Sequence, residues 1–142
     1  MAVKNVRASA RHRARAVALQ ALYAWKLGGS DVLEGWDDCD QEFAKELVSQ
    51  VILKSESLDR KIAPYLNRSL ASLSPVERVI LLIGAYDLAE RPETPFKVVL
   101  NEAIELGKSF GGTDGHKFVN GVLEKLATEL RAEEIARQRQ AV

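Results

Sequence analysis

Ser74-Pro75-Val76-Glu77-Arg78-Val79-Ile80-Leu81-Leu82-Ile83-Gly84-Ala85-Tyr86-Asp87-Leu88-Ala89-Glu90-Arg91-Pro92 reads as a helix with both ends marked. A hydroxyl stands at the N-cap, a proline at the first helical position and a glutamate three residues on, which is a capping box. Val79, Leu82, Ile83, Tyr86 and Leu88 follow as the apolar positions. The helix is expected to stop near Arg91, because Pro92 and Pro95 both disfavour continuation. On the C-terminal side, Pro95 can open another helix with the stripe Val98, Val99, Ala103, Leu106 and Phe110, which places Phe110 in the core. Gly111-Gly112 ends it. After the turn Gly111-Gly112-Thr113-Asp114-Gly115, a last long helix presents Phe118, Val119, Val122, Leu123, Leu126 and Leu130. The tail from Ala132 to Val142 is mixed in charge and weakly amphipathic, and is expected to fray. Towards the N-terminus, Leu58, Ile62, Tyr65 and Leu66 suggest a short helix interrupted at Pro64. Phe43, Leu47, Val48, Val51, Ile52 and Leu58 line a longer one. A first helix runs from about Arg11 to Leu27, stopped by Gly28-Gly29 and followed by an acidic loop from Ser30 to Asp40. Two-residue alternation is nowhere convincing. Helices joined by short loops specify an all-α bundle.

The 142 residues suit one ordinary domain that buries roughly two thirds of the surface of its unfolded chain. Apolar residues at 46% and charged ones at 28% fit a soluble globular protein rather than a disordered one. The formal net charge of zero conceals an asymmetry. The first 26 residues carry Lys4, Arg7, Arg11, Arg13, Arg15 and Lys26 and no acid, a net +6. From Asp31 to Glu46, seven acids face the single Lys45, a net −6. Such a distribution points to a polyanion contacted by one end. The single cysteine, Cys39, cannot form an internal disulfide, so nothing argues for an oxidising compartment. No apolar run approaches the ~20 residues needed to span a bilayer. The basic N-terminus followed by Ala16 to Trp25 looks superficially like a signal peptide. Arg15 and Gln20 break that run, however, and Ala14, Val17, Ala18, Ala21, Leu22 and Trp25 form a helical stripe. The cytoplasm is the expected location.

Catalytic parts are missing. His12 and His116 are far apart, and there is no Cys-x-x-Cys or His-Glu-x-x-His spacing for zinc. Cys39 lies in no nucleophile motif. Glu102 and Glu105 share a helix face and could pair as acid and base, but exposed carboxylates at this spacing ordinarily serve solubility. The glycine-rich turn at 111–115 lacks the lysine–serine pair and preceding strand of a nucleotide cradle, although a nucleic-acid phosphate could approach the helix N-terminus there. The expectation is a protein with no enzymatic activity, no cofactor and no metal.

Three segments carry a family resemblance. They are Arg11-His12-Arg13-Ala14-Arg15 with Gln20-Ala21-Leu22-Tyr23, the long run Pro95 to Gly111 containing Asn101-Glu102-Ala103-Ile104-Glu105-Leu106, and His116-Lys117-Phe118-Val119-Asn120-Gly121-Val122-Leu123. With Ser74-Pro75-Val76-Glu77-Arg78 and Tyr86-Asp87-Leu88, their order and spacing resemble the NusB transcription-antitermination family across nearly the whole chain. The resemblance implies a single NusB-like domain, 1–142, built as two roughly perpendicular three-helix bundles, about 1–70 and 71–142. It implies binding of boxA single-stranded RNA together with NusE, a small-subunit ribosomal protein, and through this pair NusA, NusG and RNA polymerase on ribosomal RNA operons. Departures are His12 within the arginine run, mostly neutral at pH 7, and Gly107 where the family often has alanine, a cost of up to ~1 kcal/mol in a helix. Some ribosomal RNA methyltransferases begin with the same fold, but a methyl-donor domain is not expected within these 142 residues.

On that reading, Lys4, Arg7, Arg11, Arg13 and Arg15 contact phosphates, with Arg11 and Arg15 on one helix face and Arg13 pointing elsewhere. Bases in single-stranded RNA stack on rings, and the candidates are Tyr65, Phe110 and Phe118, of which Phe110 is expected to be core because it lies on an apolar stripe, with Lys117 as a phosphate partner. Asp114 lies at the same turn, where its carboxylate would repel a passing phosphate. The resemblance also suggests Tyr23, Glu77 and Arg78 near the NusE contact. Their plainer roles are core edge, helix cap and solvent. The competing function is a helical interaction module whose basic end docks an acidic protein.

Overall fold

A computed structural model describes residues 2–29, 36–111 and 115–140, with side chains described from residue 10 onward except at residue 36. Among the described residues there are helices and turns and no strand. The α-helices are α1 (Ala2–Lys26), α2 (Gln41–Ile62), α3 (Pro75–Glu90), α4 (Phe96–Phe110), α5 (Gly115–Leu130) and α6 (Ala132–Gln140). Short 3-10 turns occupy Trp36–Asp38, Ala63–Tyr65 and Leu70–Ser72. Helix α1 therefore begins earlier than Arg11, and the second and third expected helices are one helix up to Ile62. Pro64 does interrupt it, as the 3-10 turn Ala63–Tyr65, since a proline removes a backbone donor and crowds the preceding turn.

The chain divides into two compact units, 1–55 and 56–142, inside α2. In the first unit, Ala14, Val17, Ala18, Leu19, Ala21 and Leu22 of α1 and Phe43, Ala44, Leu47 and Val51 of α2 are buried. The second unit is organised around α3, which packs against both α4 and α5 while these pack on each other. Every residue from Val79 to Leu88 is buried, so α3 is covered on all sides rather than along one stripe. That is the signature of a central helix. The capping box forms as read: Glu77 N–H donates to Ser74 Oγ at 3.1 Å, and Ser74 N–H to Glu77 Oε1 at 3.3 Å.

On α4 the buried residues are Val99, Ala103, Leu106 and Gly107. Phe110 is 38% exposed, which corrects its assignment to the core: it is the last residue of the helix. Gly107 has a structural reason. A Cβ there would come within 2.7 Å of His116 Cβ and 2.9 Å of His116 Cα, so α4 and the start of α5 approach too closely for the alanine that helix propensity favours.

The described part of the tail, Ala132–Gln140, is helical rather than frayed. It forms α6, and Arg131 at its junction with α5 ties several segments of the unit together. Arg131 is 6% exposed and uses all five guanidinium donors. Nε donates to Leu88 O at 2.8 Å, Nη1 to Thr94 O at 3.0 Å and Glu134 Oε1 at 2.5 Å, and Nη2 to Asp87 O and Arg91 O, each at 3.0 Å. Helix α3 has no basic residue in its last turn; its Asp87 and Arg91 carbonyls accept the Arg91 and Thr94 N–H groups and take a second donor from Arg131, as helix-end carbonyls that lack an intrahelical partner require. Arg131 caps them from 40 residues away and sets a cation at the negative end of the helix dipole. Glu134 completes the arrangement, accepting the Phe96 N–H at 2.9 Å at the start of α4, where Pro95 offers no side-chain cap.

Candidate nucleic-acid interface

The basic end lies on α1, an unbroken helix from Ala2 to Lys26 without an acid in its first turn. The side chains of Lys4 and Arg7 lie outside the described residues. Of the three arginines that follow, Arg11 and Arg15 share a face as their four-residue spacing requires, and both guanidinium groups lie over the Phe43 ring, 4.9 and 4.8 Å from its centroid. That face adjoins Ala14, Ala18 and Leu22, each 0% exposed. Arg15 is accordingly buried at 3% exposure, so in this conformation it packs on α2 and offers no open face to a phosphate. Arg11 keeps its side chain 38% exposed, its Nε 3.8 Å from Asp40 Oδ2. Arg13 points away and is exposed, its Nε donating to the Asp38 carbonyl oxygen.

The cluster thus meets the chain's own acidic segment. Asp40 N–H donates to Ala10 O at 3.2 Å, and Ala10, Arg13, Asp37, Asp38 and Cys39 line a shallow depression between the turn and α1. Burial first, and then the Asp40 carboxylate, raise the Cys39 thiol pKa, the opposite of what a nucleophilic cysteine needs. An ion pair this exposed and this long contributes at most about 1 kcal/mol, so Asp40 is a weak competitor for Arg11 against a polyanion.

The second group lies in the 56–142 unit. Phe118 sits in the first turn of α5, half-buried, while the next residue, Val119, is 0% exposed and belongs to the core. Helix packing therefore fixes the backbone beneath Phe118 and leaves its ring at the surface. Lys117 beside it is exposed. Asp114 lies outside the described residues. Tyr65 is on the 3-10 turn after α2, and its hydroxyl donates to a Glu129 carboxylate oxygen. That hydrogen bond, ahead of burial, raises the phenol pKa. Glu129 is about eleven residues, roughly 16 Å, further along α5 than Phe118, so Tyr65 is held towards the other end of this helix. The group over the Phe118 ring is instead Arg68, its guanidinium carbon 4.1 Å from the ring centroid. In the sequence Phe43 reads only as an apolar helix position, and Arg68 carries no signal of its own. An arginine three residues after Tyr65 was visible, but the aromatic partner lies 50 positions away and only the fold joins them.

Of the candidates for a protein contact, Tyr23 is 36% exposed on α1. Glu77 serves as the α3 cap, and its Oε2 lies 3.8 Å from Arg68 Nη2. Arg78 is not simply solvated: Nη2 donates to Asp59 Oδ2 at 2.8 Å, with the two side chains 25% and 18% exposed. Among the described residues, no group of His, Cys, Asp and Glu could hold a metal ion, and no helix is long and apolar enough to cross a membrane.

Residues 12–128 match the sequence model of the NusB family. The chain is 47% identical over 137 residues to the transcription antitermination protein NusB of Thiobacillus denitrificans, covering 90% of this chain and 94% of that one. It is 48% identical over 140 residues to the protein of the same name from Ralstonia pickettii, covering 92% and 90%. Among solved structures, T. maritima NusB superposes with a TM-score of 0.74 at 30% identity, over 84% of this chain and 91% of that one. A crystal structure of antitermination factors NusB and NusE in complex with double-stranded RNA includes a chain that superposes with a TM-score of 0.73 at 28% identity, over 85% and 98%.

Proposed function

The chain belongs to the NusB family, and on that premise we propose that it is a cytoplasmic, non-enzymatic transcription antitermination factor. It binds boxA-type single-stranded RNA together with the ribosomal protein NusE, and through that pair supports transcription of ribosomal RNA operons with NusA, NusG and RNA polymerase. The observation that carries the RNA-binding half is the acid-free basic helix α1, whose Arg11 and Arg13 stay accessible. Phosphate contacts from this helix supply affinity and register. Phe118 supplies the ring on which the base-binding site is built, and Lys117 a further cation. Tyr23, Glu77 and Arg78 remain the proposed contacts for NusE.

A second reading has one observation in its favour: Arg11 of the cluster already pairs with a carboxylate of its own chain, Asp40, as a module that docks an acidic protein would. The two readings differ in the partner's shape. RNA offers phosphates at fixed spacing and bases that stack, whereas an acidic protein offers charge alone.

The test is the salt dependence of RNA binding for the parent and for a variant with Arg11→Ala and Arg13→Ala. Arg15 is left in place because its loss would disturb packing on Phe43. Each lost phosphate contact removes about 0.7 from the single-strand log–log slope, so the slope should fall by about 1.4 with helicity by circular dichroism unchanged. Parental affinity and slope in the double variant would exclude the α1 arginines as phosphate contacts. Heparin competing as well as boxA-like RNA would favour the acidic-protein reading.

A further inference from the structure

Arg68 stands on the connection between the Ala63–Tyr65 and Leu70–Ser72 turns, with its side chain 42% exposed. Its guanidinium nevertheless has a defined seat. One face lies over the Phe118 ring, at 4.1 Å from the centroid, and Nη2 is 3.8 Å from Glu77 Oε2. Glu77 is itself held by the α3 capping box, and its side chain is only 16% exposed. The backbone of Phe118 is fixed by the next residue, the buried Val119. A flexible, solvent-accessible cation is thus held over an aromatic ring and beside a capping carboxylate. An arginine used only for solubility needs neither.

We propose that Arg68 is an RNA-contact residue that forms the outer layer of a stack: an unpaired base rests on the open face of the guanidinium, whose inner face rests on Phe118. Glu77 acts as its positioning residue. The inference rests on the RNA-binding reading above and adds a residue and a geometry to it. The chemistry favours this order of layers. A guanidinium is planar, delocalised and weakly hydrated, so it stacks on rings and bases while keeping its charge. Single-stranded bases are recognised on guanidinium planes as well as on aromatic side chains. With Phe118 already covered, the exposed planar surface at this site belongs to Arg68. The same group carries a charge that an adjoining phosphate can use, which a bare phenyl ring does not.

The test compares the full-length parent with Arg68→Lys and Arg68→Ala, using boxA-like RNA carrying 2-aminopurine at one position at a time. Lysine keeps the charge and removes the plane. Arg68→Lys should therefore preserve the salt slope, lose affinity by roughly fivefold or more, and lose the 2-aminopurine quenching that the parent shows at one position. Arg68→Ala should lose the quenching too and lower the slope by about 0.7. Melting temperatures close to the parent's would show that folding is intact. Combining Arg68→Ala with Phe118→Ala should weaken binding little more than the stronger single change, because both belong to one stack. If Arg68→Lys binds with parental affinity and quenching, the planar face is unused and the proposal falls. Tighter binding by Arg68→Ala would mean that the base sits directly on Phe118 and that Arg68 obstructs it, which also overturns the proposal. No RNA binding by the parent would remove the RNA reading itself, an outcome distinct from loss of stacking alone.

Discussion

Arg131→Met should lower folding stability by about 3–5 kcal/mol, the size expected when one partner of a buried hydrogen-bonded charge network is removed. Methionine approximates the length of the arginine stem and supplies no donors. The carbonyls of Leu88 and Thr94 lose the guanidinium N–H groups directed at them, where a buried acceptor left unsatisfied costs about 1–3 kcal/mol, while those of Asp87 and Arg91 keep a backbone N–H and lose their second donor. Glu134 loses its cation while still receiving the Phe96 N–H. Arg131→Lys should recover little, because an ammonium cannot reach five acceptors arranged around a planar fork. Urea denaturation of parent and variants gives the answer. A shift equivalent to less than about 1 kcal/mol, the ordinary effect of a surface substitution, would mean that the α3 terminus is capped some other way.

The second large effect is expected in binding rather than folding. Phe118→Ala should cost on the order of 1–3 kcal/mol of RNA affinity, the range for removing a base-stacking ring, and it should remove the seat of Arg68 at the same time. Stability should change by much less than the roughly 3–5 kcal/mol lost when a core phenylalanine is truncated, because the ring is half-buried and the buried residues of α5 are Val119, Val122, Leu123, Leu126 and Ala127. Fluorescence anisotropy with labelled RNA and a urea titration on the same preparation separate the two. A stability loss of the core size, with RNA affinity falling only as the folded fraction falls, would identify Phe118 as packing and not as a platform.

How far sequence reached depends on the distance over which each feature is determined. The start of α3 was legible because a capping box is written within four residues, and its end because Pro92 allows nothing else. The interruption at Pro64 was legible for the same local reason. The burial of Arg15 was open to the same periodicity that revealed the helix, since it adjoins the Ala14–Ala18–Leu22 face. The density of arginines drew attention to charge and away from that register. Phe110 ends α4, and an apolar stripe gives the face of a helix without saying whether its last residue is covered. Arg131, Glu134 and α6 were hidden because their partners lie on α3 and at the start of α4, roughly 40 residues earlier. No local pattern announces a cap supplied from such a distance. Gly107 carried a local cost whose compensation, the close approach of His116, exists only in the folded chain.

The most direct measurement of the central claim is a binding titration of boxA-like RNA and a scrambled RNA of equal length, each with and without NusE, at fixed salt. Fixed salt matters because the phosphate contribution shifts strongly with ionic strength and is blind to sequence. The account predicts that the protein alone binds both RNAs measurably through α1. It predicts also that NusE increases affinity for the boxA-like RNA well beyond any increase for the scrambled one. Equal affinity for both RNAs in the presence of NusE, or no RNA binding that NusE strengthens, would contradict it.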